Sequence, residues 1–162
     1  MKHRNLYLLV LAGLTLLLVI SLGNGLYRQP YSADAWPYLL LRSICHQIPE
    51  RSFTLNGVQM AANARCFGIF AGLWAVWLLM PLLIRTGVNR YGVPGVLLLA
   101  VALQLLEKLA GLLSVWNSSN FSRFLFGLLL GAAVVHAISD QFAKQDDDDK
   151  VRYGVQRADQ RE

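Results

Sequence analysis

Four apolar runs, each close to twenty residues long, limit what this chain can fold into more than any other feature. They lie at about 6–26, 66–84, 93–113 and 121–138. A soluble domain of 162 residues would distribute its apolar side chains periodically around one core. Unbroken runs of this length match the hydrocarbon thickness of a bilayer, and each reads as a transmembrane helix. Composition agrees, with 55% hydrophobic against 15% charged residues. The fold class that follows is all-α: an integral membrane four-helix bundle, with a long outer loop carrying an interfacial or re-entrant helix. Residues 1–140 form the transmembrane domain, and 141–162 read as a polar, charged and mobile tail on the cytoplasmic side.

Local signals punctuate the runs. Lys2, His3 and Arg4 precede the first, as in a signal anchor. Ala33-Asp34-Ala35 offers small residues for cleavage, but too far from the apolar core for easy processing, so the first span reads as retained. Gly87 and Gly92 break the segment between the second and third spans, and Pro94 suits a helix start. Residues 114–120 form the last polar turn.

The net charge of +5 gives no case for nucleic acid, because Lys and Arg lie at the edges of apolar runs. Lys2, Arg4, Arg85, Arg90 and the five basic residues of the tail fall on one side. The other side carries Arg28, Arg42, Arg51, Arg65, Lys108 and Arg123. Two arginines in the short 85–92 loop place that loop, and with it both termini, in the cytoplasm. The expected location is the cell (inner) membrane, crossed several times.

Residues 27–65 are then the long outer connection. Trp36 to Ile44 is too short to span and is expected to lie in the interface, with Trp36 and Tyr38 at headgroup level. Ser52 to Gln59 reads as a turn around Asn56-Gly57.

Helical spacing gathers polar groups at the outer ends of the spans. Arg65, Gly68 and Gly72 share one stripe of the second span. Arg123, Gly127 and Gly131 share one stripe of the fourth, with Asn120 beside them. Small residues four apart let two helices approach closely, and these two run parallel, so their arginines reach similar depth. On the third span, Gln104, Glu107, Lys108 and Gly111 form one face. Glu107 lies about 9 Å below the outer end at 1.5 Å per residue. A carboxylate at that depth is costly in lipid and turns inward, where Arg65, Arg123 or Lys108 can neutralise it. Arg51, Arg65, Glu107, Lys108, Asn120 and Arg123 are therefore expected to form an outer polar site. The alternative for each is a snorkelling arginine or a packing glycine without further role.

Two motifs add a resemblance. Cys45-His46-Gln47-Ile48-Pro49-Glu50-Arg51-Ser52 and Asn63-Ala64-Arg65-Cys66-Phe67-Gly68-Ile69 are similar to a family of small bacterial membrane proteins of unassigned function. Its pattern is Cys-His-Gln-x-Pro-x-Arg-Ser followed by Cys-x-Arg-Cys-x-Gly-Ile. Ser114-x-x-Asn117 and Asn120-x-x-Arg123-x-x-x-Gly127-x-x-x-Gly131 resemble its last helix, so the likeness covers about 42–131. The resemblance implies a topology and a site, but no activity. Asn63 stands where the family has its first cysteine of the second motif, and apolar residues near Val101 replace an expected Asp. The family's cysteine and histidine set would suit zinc; here only Cys45, His46 and Cys66 remain.

Three states of the cysteines stay open: a Cys45–Cys66 disulfide, a metal site with His46, or a reactive thiol at Cys66 with His46 as base. His136 reads as an interfacial histidine paired with Asp140, and Asp146 to Lys150 as a solvated acidic run. No Walker loop, dinucleotide fingerprint, HExxH or nucleophile elbow occurs. Three functions compete: binding or transport of an anionic group such as a lipid headgroup, thiol or metal chemistry, and a structural role among membrane-protein partners.

Overall fold

The structure is a computed structural model, and it describes residues 4–86, 93–113 and 118–138. The tail at 141–162, the acidic run, Asp140, Lys2, His3, Arg90, Ser114 and Asn117 lie outside the described residues, as does the side chain of Arg85.

Among the described residues, four helices are long and apolar enough to cross a membrane: α1 (Arg4–Ser21), α3 (Ala64–Thr86), α4 (Val93–Leu112) and α5 (Asn120–Ile138). Their leucines face outward, as with Leu9, Leu98, Leu106 and Leu112, because lipid is the solvent on that side. α1 ends at Ser21, five residues before the expected limit. The chain there turns through Gly23, whose φ of 64° is left-handed, into a 3-10 turn at Gly23–Tyr27.

α1 lies antiparallel to α3, fixed by polar handles on otherwise apolar faces. The Trp74 indole donates to Thr15 Oγ1 at 2.9 Å, and the Trp77 indole donates to the Tyr7 carbonyl at 3.2 Å. Tyr7 stacks on Trp77 and donates to the Leu78 carbonyl. Tyrosine and tryptophan suit this use because an apolar ring carries one hydrogen-bonding tip.

α3 and α5 run parallel and nearly touch. A Cβ on Gly68 or Gly72 would meet the Phe124 or Leu128 carbonyl oxygen. One on Gly127 or Gly131 would meet the carbonyl oxygen of Arg65 or Ile69. Glycine is required at all four because backbone occupies the space of a side chain. Ascending positions on one helix meet ascending positions on the other, and this sets the parallel direction.

The connection between α1 and α3 is not a plain loop. It holds α2 (Trp36–Leu41), a 3-10 turn at Pro49–Arg51, and an antiparallel hairpin of β1 (Ser52–Leu55) and β2 (Val58–Asn63). Ser52 pairs with Asn63, Thr54 with Gln59 and Leu55 with Val58, with an irregularity between Ser52 and Thr54. Asn56 and Gly57 both have positive φ, 53° and 80°, as a two-residue hairpin turn demands. The expected turn is thus the tip of a hairpin. β2 leads directly into α3, so the hairpin caps one end of the bundle.

Tyr38 also departs from expectation. It is fully buried beneath the hairpin with Leu41, Cys45, Ala61, Ala62 and Ile20 instead of presenting its ring at the surface, whereas Trp36 is exposed. Its hydroxyl donates to the Gln59 carbonyl at 2.5 Å. Burial raises its pKa above the ordinary phenol value. Gln47 donates to the Tyr38 carbonyl and Gln59 to the Gln47 carbonyl, both at 2.8 Å, so the buried backbone is satisfied by side chains.

Candidate functional site

The hairpin end of the bundle gathers the polar residues because β2 delivers Asn63 and then α3 begins with Ala64, Arg65 and Cys66. The close α3–α5 approach brings Arg65 and Arg123 to one level, and α4 passes beside them with Glu107. Arg65 and Glu107 form an ion pair and hydrogen bond through Nη2 and Oε2. The Glu107 side chain is 2% exposed, so its charge needs this partner. One turn further along, Gln104 Nε2 donates to the Phe126 carbonyl at 3.1 Å. α4 is thereby held to α3 and α5 by polar contacts between helices that otherwise show leucine to lipid.

Arg123 is held by a relay. Its Nη1 donates to Asn120 Oδ1 at 3.2 Å, and Asn120 Nδ2 donates to the Ser52 carbonyl at 3.0 Å. Ser52 is buried, its hydroxyl lying 2.9 Å from the Ile48 carbonyl and 3.0 Å from Asn63 Oδ1. Phe124 packs between Phe53 of β1 and Phe67 of α3, at ring separations of 6.1 and 5.7 Å. The hairpin, α3 and α5 are thus locked together around the base of Arg123.

These groups surround a cavity of about 730 Å³. Among the described residues, Arg51, Arg65, Lys108 and Arg123 line it with a single carboxylate, Glu107. Arg51 and Arg65 both act electrostatically on Arg123. Ion pairing of Arg65 with Glu107 leaves three cations facing the space among the described residues. His46, Cys66 and Asn63 complete the wall on the hairpin side.

The structure therefore brings Arg51, Arg65, Glu107, Lys108 and Arg123 to one cavity, with Asn120 behind Arg123 as its support. Cys45 lies behind the wall, buried against Cys66. Both are free thiols. The Asn63 N–H points at Cys45 Sγ at 3.2 Å. Contact with the Cys66 thiol and the Asn63 and Gln47 amides lowers the Cys45 thiol to about 6. Asn63, in the position of the first cysteine of the resemblance's second motif, spends its amide oxygen on Ser52. Among the described residues no group of three His, Cys, Asp or Glu side chains is placed to share a metal ion, so this donor set does not fit a closed zinc site. His136 lies near the far end of α5, away from the cavity.

Sequence reasoning missed Ser52 and Ser118 as parts of the site, and it weighed Asn63 only as the replacement for a family cysteine. An alternating Ser52, Thr54 pattern before Asn56-Gly57 was the available hairpin signal.

Residues 45–137, more than half of the chain, match a family described as "Predicted membrane protein (DUF2085)". An uncharacterised protein of the archaeon Methanocaldococcus jannaschii is 33% identical over 103 residues. That alignment spans 62% of this chain and 65% of the relative's length. No solved structure matches. The matched region starts at Cys45 and runs through the hairpin, α3, α4 and nearly all of α5, the elements that enclose the cavity, and by this match the chain belongs to the DUF2085 family of membrane proteins.

Proposed function

We propose that the protein binds an anionic phosphate-bearing group, a lipid headgroup, in the cavity capped by the hairpin. In this reading the cavity opens at the outer face of the cell (inner) membrane, and both termini are cytoplasmic. The observation that supports it is the charge balance: among the described residues, four cationic side chains share one cavity with one carboxylate, which is already committed to Arg65.

Like charges held this close repel, and a bundle has no structural need for the arrangement. A phosphate relieves it. Arginine suits phosphate because its planar fork donates two hydrogen bonds at once, and Arg51 and Arg123 converge with Lys108 on the same space. The volume falls in the range of small-molecule sites. Leu112 both lines the cavity and faces lipid, which gives an acyl chain a continuous apolar path away from the headgroup.

The test is lipid binding to the purified full-length protein in neutral detergent. Phosphatidylglycerol should be retained over phosphatidylcholine, and Arg51→Gln or Arg123→Gln should weaken its retention about tenfold, the loss of one charge-assisted contact. Equal retention of the two lipids by the wild-type protein, or no change in either variant, would rule the reading out.

A further inference from the structure

One feature of the cavity wall is not used by anion binding. Cys66 opens onto the cavity, and Cys45 is buried directly behind it, 3% exposed. The two come from different elements, one following α2 and the other in the first turn of α3, and the Asn63 N–H holds Cys45 Sγ in place. Thus one sulfur is reachable from the cavity, and a second is reachable only from the first.

We propose that Cys66 and Cys45 form a redox-active dithiol that exchanges electrons with a small, carboxylate-bearing disulfide drawn into the cation-lined cavity. This uses the same cavity as the lipid reading but does not depend on it.

The accessible and buried sulfurs have different tasks. Cys66, the sulfur on the cavity wall, attacks one sulfur of the incoming disulfide, and its proton passes to the adjoining Cys45 sulfur only as the new bond forms, along the hydrogen bond that already joins the two. The S–S bond of the incoming disulfide breaks, and the first half leaves as a thiolate that takes a proton from water. A mixed disulfide now joins Cys66 to the second half. Cys45 then attacks Cys66 Sγ, and its proton passes to the second leaving thiolate. Two electrons have moved from the protein to the disulfide, which ends as two thiols, and the protein ends with a Cys45–Cys66 bridge. Arg51, Lys108 and Arg123 set the preference for an anionic reactant, because its carboxylates find cations on the cavity wall.

The experiment uses the full-length protein, reduced and then freed of reductant, in neutral detergent. Glutathione disulfide is the anionic probe and 2-hydroxyethyl disulfide the uncharged one, followed by thiol titration and intact mass. The wild-type protein should lose both thiols without retaining probe, and dithiothreitol should restore them. The rate with glutathione disulfide should be at least tenfold higher at low salt, and the advantage should shrink as salt rises. Cys45→Ser should hold one glutathione at Cys66, whereas Cys66→Ser should hold none. Thiols that persist in the wild-type protein, a bridge that resists dithiothreitol, or equal rates with the two probes would each overturn the proposal. The wild-type measurements stand even if either variant fails to fold.

Discussion

The Arg65–Glu107 pair shows how one residue constrains the rest. Glu107 lies well inside an apolar helix, and its charge is tolerable only because Arg65 meets it. Removing Arg65 leaves Glu107 charged and buried, so Arg65→Met alone should destabilise the detergent-solubilised protein by about 3–5 kcal/mol, whereas Glu107→Leu, which leaves Arg65 partly exposed on the cavity wall, should cost less. The double variant should recover most of that loss, because two apolar side chains suit this depth. Thermal melts of the three variants check this, and full additivity would mean that the pair does not act as a unit. Cys45 gives a pH signature at the same scale. Its thiol is lowered from 9.0 to about 6 in the folded protein, so the stabilising contribution is complete above pH 9 and is lost as pH falls toward 6. The stability gap between wild type and Cys45→Ala should therefore widen from pH 6 to pH 9 in melts taken across that range.

Among the elements, the α3–α5 contact and the hairpin carry the site, and they were unequally legible. The glycine stripes announced the first, because small residues four apart on two helices, each headed by an arginine, have few other uses. Gly127→Ala should lower the melting temperature sharply, since its Cβ would fall on the Arg65 carbonyl. Gly13→Ala should leave it unaffected, because nothing lies within 4 Å of that position. The hairpin was hidden for a physical reason. Its strands are short, and β2 reads Val-Gln-Met-Ala-Ala-Asn, with small residues where a strand signal would show branched ones. Ala61 and Ala62 are small because Tyr38 and Leu41 fill the space beneath them. Tyr38 was misplaced at headgroup level for the same reason: an interfacial tyrosine and one buried under a cap look alike until its acceptor, the Gln59 carbonyl, is known. Tyr38→Phe should cost about 1 kcal/mol in the same melts, the worth of one buried hydrogen bond.

For the whole molecule, four apolar spans dictated the class, and helical spacing dictated which polar groups could meet. What spacing could not give was the choice among partners for Glu107, since Arg65, Arg123 and Lys108 all lay within reach. The hairpin decides this by seating Asn120 against Ser52, which draws Arg123 toward Asn120 and leaves Arg65 for Glu107. The result is a cation-rich cavity at one end of a lipid-facing bundle. The most direct measurement is to cross-link a photoactivatable phosphatidylglycerol to the full-length protein in vesicles and map the labelled peptides by mass spectrometry. A headgroup site predicts labels concentrated on the stretches around Arg51, Cys66, Lys108 and Arg123. Labels spread evenly along the outward leucines of α1 and α4, with none at the cavity, would contradict it.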